Sequence, residues 1–105
     1  MFARHITLQL KKNFEKEFPI TFEKEVLPIL RRQKGFLEEL LLVTPMKNEM
    51  VAISLWEEKE FAEAYHRQVY PEVAKMIAKF VEETPVVKTY EVEYATYRKF
   101  ATVAV

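Results

Sequence analysis

A chain of 105 residues, half of them apolar, makes one domain with a single thin core. Sixteen basic and sixteen acidic residues cancel to a formal net charge of zero, so there is no electrostatic case for nucleic acid or an anionic membrane surface. With no cysteine, no aspartate and one glycine, Gly35, the chain lacks the means for disulfides, zinc–thiolate sites, the usual magnesium or calcium loops, and glycine-rich phosphate cradles.

Phe2 to Leu10 alternates, with Phe2, Ile6, Leu8 and Leu10 on one side and Ala3, His5, Thr7 and Gln9 on the other. That pattern predicts a first strand. The same stretch lacks the long apolar core of a signal peptide, and no apolar run approaches a membrane span, so a soluble cytoplasmic protein is expected. Asn13 suits a helix N-cap. Phe14, Phe18, Phe22, Val26, Ile29 and Leu30 then recur at three- and four-residue spacing, one apolar helix stripe. Pro19 and Pro28 fall inside it and predict a bend. Gly35 suits a left-handed stop after the basic Arg31, Arg32 and Lys34.

Phe36 to Thr44 predicts a second strand, apolar on both faces at Leu40-Leu41-Leu42-Val43. Pro45-Met46-Lys47-Asn48 turns the chain into a third strand, Glu49 to Trp56, closing a hairpin. A helix from about Glu58 carries Phe61, Ala64 and Tyr65 inward, breaks at Tyr70-Pro71, and resumes with Val73, Met76, Ile77 and Phe80 on one face. Thr84-Pro85 stops it. Val86 to Tyr97 alternates as a fourth strand, with Tyr90 and Tyr94 expected in the core. The domain is expected to span 1–97, followed by a C-terminal tail at 98–105.

The order β-α-β-β-α-β is the ferredoxin-like split βαβ plan, an α+β fold with helices on one face of an antiparallel sheet. The double-sided apolar strand, with Trp56 and Ala52 expected to add to the uncovered surface, leaves the other face wet. Burial stabilises by ~25 cal/mol per Å² of apolar area. A homodimer with the two sheets face to face is therefore expected, against the alternative that the tail and helices cover everything.

Val26-Leu27-Pro28 with Arg31-Arg32-Gln33-Lys34-Gly35-Phe36, then Ala52-Ile53-Ser54-Leu55-Trp56-Glu57, Ala62-Glu63-Ala64-Tyr65, Tyr70-Pro71 and Val86-Val87-Lys88-Thr89-Tyr90-Glu91-Val92, resemble the antibiotic biosynthesis monooxygenase domain family. The resemblance runs from about Phe2 to Glu93. It implies a dimeric α+β barrel. Some of its members oxidise phenolic or anthrone-like compounds with O₂ and no metal or flavin; others degrade heme. The heme-degrading branch uses an asparagine on the first strand, a tryptophan in the second helical region and an axial histidine. Here the first strand has no asparagine, the tryptophan position reads as Tyr65 and the axial position falls near Lys75, so the resemblance implies no heme and no other cofactor.

Candidate site residues follow from their chemistry. His5 and His66, with no metal-ligand spacing between them, are candidate bases toward a phenol; the plainer reading is an edge histidine and a solvated helix histidine. Trp56 could stack on an aromatic ligand or donate its N–H, or simply pack. Tyr65 and Tyr70 bracket the helix break, where a cavity could form and a phenol donate, or where both are packed aromatics. Arg4 is a candidate anion contact, with a paired surface arginine the plainer and favoured reading, and Thr7 is a polar neighbour of His5. Ser54 has no adjacent base or glycine turn to make it a nucleophile. The expected function is a cofactor-independent monooxygenase-like homodimer that acts on or binds a small phenolic or quinol compound. The rival is a non-enzymatic ligand-binding or stress-related dimer of the same fold.

Overall fold

The computed structural model describes residues 1–45 and 48–96; the expected tail at 98–105, Tyr97, and Met46 and Lys47 of the expected turn lie outside them. Four antiparallel strands, β1 (Phe2–Gln9), β2 (Phe36–Val43), β3 (Glu49–Trp56) and β4 (Val86–Glu91), form one sheet in the order β2-β3-β1-β4. This is the expected ferredoxin-like arrangement, with β3 between β1 and β2 and β1 between β3 and β4.

Pairing β1 with β3 sets Phe2 opposite Trp56, Arg4 opposite Ser54, Ile6 opposite Ala52 and Leu8 opposite Met50. Because side chains alternate, these eight share the sheet face that the helices cover. Trp56 and Ala52 are buried there, not on the open face as expected. The parity of strands this short is set by which face is covered, and Phe2, Leu8 and Met50 fix it.

The first helical segment begins at α1 (Glu17–Thr21), widens into a π turn over Phe22–Val26 and continues as α2 (Leu27–Arg31). The Leu27 N–H bonds to the Phe22 carbonyl, five residues back. Pro28 follows at once. It has no N–H to give to the preceding turn and its ring crowds the carbonyl there, so the loosened turn stands where a bend was expected. The stripe of Phe18, Phe22, Val26 and Leu30 is buried as predicted. Asn13 does not cap the helix: it holds a left-handed conformation at φ 76° in the preceding turn, and Lys16 occupies the cap position.

Gly35, at φ 82°, turns the chain into β2, and its carbonyl accepts the Glu57 N–H at 2.8 Å. A side chain here would overlap the Phe61 ring. After β3, α3 (Lys59–Gln68) buries Ala62 and Tyr65. The break falls at Val69. α4 (Tyr70–Ile77) and a 3₁₀ turn (Ala78–Phe80) then bury Val73, Ile77 and Phe80. Leu10 bridges to Val81, which ties the end of β1 to the end of this helix.

β4 stops at Glu91, six residues short of its expected end. Tyr90, expected in the core, points away from the helices and is half exposed, and Tyr94 lies almost wholly in water. The open face carries Leu40 and Leu42 from β2, Val51, Ile53 and Leu55 from β3, His5 from β1, and Val86 and Tyr90 from β4. No helix among the described residues is long and apolar enough to cross a membrane.

Candidate functional site

Arg4 sits on the covered face of β1 between Phe2 and Ile6, and only 2% of it is exposed. Its neighbours come from three other elements. The Arg4 guanidinium carbon lies 4.7 Å from the Tyr70 ring centre and 5.0 Å from that of Tyr65. Arg4 Nη2 donates to His66 Nδ1 at 3.0 Å, and the His66 ring stacks on Tyr70 at 5.5 Å and 15°. Two π faces and one imidazole thus stand where a buried arginine would ordinarily have a carboxylate. Among the described residues no carboxylate oxygen lies within 4.0 Å of Arg4, and its Nε has no hydrogen-bond partner.

The break at Val69 makes this cluster. It lets α3 deliver Tyr65 and His66 while α4 delivers Tyr70 from the next turn. Glu39 reaches the same space from β2. A bulge between Phe36 and Glu38 inserts Leu37, so Glu38 pairs with Leu55 on the open face and Glu39 with Ser54 on the covered one. Burial raises Glu39 to about 8, only partly offset by the Arg4 charge. Burial likewise raises Tyr65 and Tyr70 against the pull of Arg4, so both remain phenols. His66 is lowered, first by desolvation and then by the Arg4 charge, and is neutral near pH 7.

A neutral imidazole carries one hydrogen, and arginine does not give up its proton. With Nδ1 accepting from Arg4, the hydrogen of His66 sits on Nε2. In this arrangement His66 offers a donor to whatever lies beside it.

Two spaces adjoin the cluster. One is an open cleft of about 480 Å³ between α3 and the β1–β4 edge; Arg4 and His66 stand in its wall with Lys59, Glu63, Arg67 and Thr89, over a floor of Phe2, Ala62 and Val87. The other lies between sheet and helices beside Arg4, Glu39, Ser54, Tyr65 and Tyr70, and measures about 20 Å³. That is room for one water and not for a ring. The cavity expected beside Tyr65 and Tyr70 at the helix break is therefore too small for a ring, and the usable room is at the sheet edge.

The structure brings together Arg4, His66, Tyr65 and Tyr70. Trp56 lies beneath them, 5.2 Å from the Tyr65 ring and fully buried, with its N–H given to Ser54 Oγ at 2.9 Å. His5 and Thr7 are on the opposite face of the sheet. His5 meets the edge of Tyr90 at 6.2 Å, and its Nδ1 is buried without a partner. Glu39, Lys59, Glu63 and Arg67 had no sequence signal as site residues. Lys59, Glu63 and Arg67 do recur at four-residue spacing along α3, which puts them on one flank. Among the described residues, no three histidine or glutamate side chains gather as metal ligands.

No sequence-family profile matches this chain, and no curated protein matches it either. Its fold is nevertheless that of known oxygenases. A monooxygenase of Streptomyces coelicolor, solved with nanaomycin D, superposes with a TM-score of 0.75 at 13% identity over 91% of this chain and 90% of its own. A variant of SnoaB, a cofactor-independent oxygenase of Streptomyces nogalater, gives 0.72 at 18% identity over 90% and 95%. A Nitrosomonas europaea protein assigned as an antibiotic biosynthesis monooxygenase gives 0.73 at 14% over 90% and 100%. The resemblance read in the sequence is thus carried by the fold, and at these identities by the fold alone.

Proposed function

We propose that this chain, sharing its fold with cofactor-independent oxygenases, works as a homodimer that binds a small phenol or quinol in the edge cleft and oxidises it with O₂ without metal or flavin. The observation that carries this reading is the Arg4–His66 pair, held between two tyrosine rings at the wall of a cleft of about 480 Å³. That volume suits a two- or three-ring ligand. The solved oxygenases of the same fold, one of them holding nanaomycin D, support it.

The roles follow from the chemistry available. Arg4 stabilises a bound phenolate or enolate, and His66 donates from Nε2 to a neighbouring ligand oxygen. Glu63, on the same wall, accepts the proton released. Tyr70 and Tyr65 hold the guanidinium in place, and Trp56 supports Tyr65 from below. The electron-rich anion then passes one electron to O₂ and the two radicals combine. A ring CH₂ conjugated to a carbonyl becomes C=O, with one atom of O₂ kept and the other leaving as water. His5 and Thr7 stand apart from this chemistry, on the open face of the sheet, where a second copy would cover them.

Oxygen uptake with 1,8-dihydroxyanthrone tests this. Saturable uptake is expected, reduced at least tenfold in His66→Ala and Arg4→Met. Absence of uptake across anthrones and naphthoquinols would overturn the oxidation. A second reading, binding without turnover, is favoured by the closed interior of about 20 Å³, because a ring confined to the open cleft stays in contact with water. Saturable binding without uptake decides for it.

A further inference from the structure

We propose that the edge cleft favours an anionic aromatic, a phenol or quinol whose ring also bears a carboxylate, over one without it. The inference rests on the reading that an aromatic ligand occupies this cleft, and it names the charge of that ligand.

Two independent observations carry it. The first is the state of Arg4: a guanidinium that is 2% exposed, with an unpartnered Nε and no carboxylate within 4.0 Å among the described residues. The Glu39 carboxyl acts on this cation only from beyond ion-pair distance and is itself pushed toward its neutral form by burial. A buried cation so weakly compensated is costly, and native structures keep such groups where a ligand completes them. The second is the charge of the wall. The chain as a whole is balanced, yet this cleft gathers Arg4, Lys59 and Arg67 against Glu63 alone. The local excess of positive charge is opposed by no other lining group, since Thr89 and the neutral His66 are hydrogen-bonding and Phe2, Ala62 and Val87 are apolar.

The arrangement sorts by depth. Arg4 is the buried end of the cleft, where the low dielectric strengthens a charge–charge contact. Lys59 and Arg67 stand one helical turn to either side of Glu63 on α3. They act at longer range, raising the local concentration of an anion and steering it inward. The carboxylate pairs with the guanidinium, and the ring lies on Phe2, Ala62 and Val87.

Calorimetry with a matched pair of probes, 1-hydroxy-2-naphthoate and 1-naphthol, tests the inference on the full chain. The naphthoate is expected to bind at least tenfold tighter. Its advantage should shrink as salt rises from 20 to 300 mM, which screens the outer charges. Lys59→Gln/Arg67→Gln, both surface changes, should weaken the naphthoate about fivefold and leave the naphthol unaltered; Glu63→Gln should tighten the naphthoate. Arg4→Met should abolish the preference, provided its circular dichroism matches the parent. Equal affinity for the two probes, or a preference unmoved by salt and by the double variant, overturns the charge inference and leaves the aromatic cleft standing. Binding of neither probe overturns both.

Discussion

Glu39 is the residue through which pH reaches the fold. Its carboxyl titrates near 8 in the folded protein against an ordinary value of about 4.5, because burial penalises the anion more than Arg4 rewards it. The raised value means the folded state holds a proton that the unfolded chain has released. Stability from this group is therefore full below about 4.5 and falls as pH rises toward about 8, where it levels. His66 acts with the opposite sign: its lowered folded value removes stability as pH drops below its ordinary 6.5. Glu39→Gln should flatten the decline between about 4.5 and about 8, which amounts to on the order of 5 kcal/mol. Urea midpoints measured at half-unit pH intervals check it; a parent curve that rises through this window refutes the assignment. The second lever at this scale is Ser54. Its hydroxyl is the acceptor for the fully buried Trp56 N–H. Ser54→Ala strands that donor and should cost about 1–3 kcal/mol. In a Trp56→Phe background the same change should cost less, because the donor is already gone, and the shortfall in a double-mutant cycle measures the pair. Arg4 shares parity with Phe2, Ile6 and Leu8 and is 2% exposed, so the favoured reading of it as a paired surface arginine is overturned by the covered face on which alternation puts it. Glu39 was not legible: whether it or Glu38 turns inward depends on a bulge at Leu37, which the pairing with β3 sets and no local pattern records.

At the scale of elements, the joint between α2 and β2 is the most sharply specified point in the chain. Gly35 meets two demands there: a φ of 82°, which a Cβ makes unfavourable by about 1–2 kcal/mol, and the close approach of Phe61 from α3. Gly35→Ala should therefore cost on the order of 2–4 kcal/mol, backbone and steric parts together. Adding Phe61→Ala should return the steric part due to the Phe61 ring, leaving only the contact with its Cβ and the backbone part. Thermal melts of the two variants check this, and a Gly35→Ala protein within 1 °C of the parent would show that the joint relaxes freely. The stop at Gly35 was readable because one glycine after three basic residues has few other uses. So were the four strands, the hairpin and the stripe of Phe18, Phe22, Val26 and Leu30, since each buried face repeats at the period of its own element. What local pattern missed depends on more distant parts of the chain. The π turn before Pro28 resolves a missing N–H by widening instead of bending, Asn13 takes a left-handed turn where it could equally have capped, and β4 ends at Glu91 because β1, its pairing partner, begins at Phe2. The site inherits this: the tyrosines at the helix break were visible, but the cleft they border is set by how α3 lies along the sheet edge.

For the whole molecule, the governing fact is that the helices cover one sheet face and nothing described covers the other. On that open face Leu40, Leu42, Val86 and Tyr90 are about half exposed, spread across both edge strands, with Val51, Ile53 and Leu55 between them. A contiguous apolar surface of this kind is rare on a monomer. Two charged residues within it, Glu38 and Lys88, lie on opposite edge strands, where a two-fold axis through the sheet centre would let each approach the other's copy. His5, with an unpartnered Nδ1 at the middle of the face, also gains a partner if the face is covered. A face-to-face homodimer answers all three observations, and it would do so without touching the edge cleft, which opens on the covered side between α3 and β4. Sedimentation should accordingly return twice the 12.5 kDa chain mass. Leu42→Lys tests the face itself. The position is already half exposed, so the charge costs the single chain little, yet in a dimer it would be buried without a counter-ion. The variant should sediment as a 12.5 kDa species with an unchanged circular dichroism spectrum. A parent chain that stays at one chain mass at 100 μM would refute the pairing, and a variant that still doubles would place the contact elsewhere on the molecule.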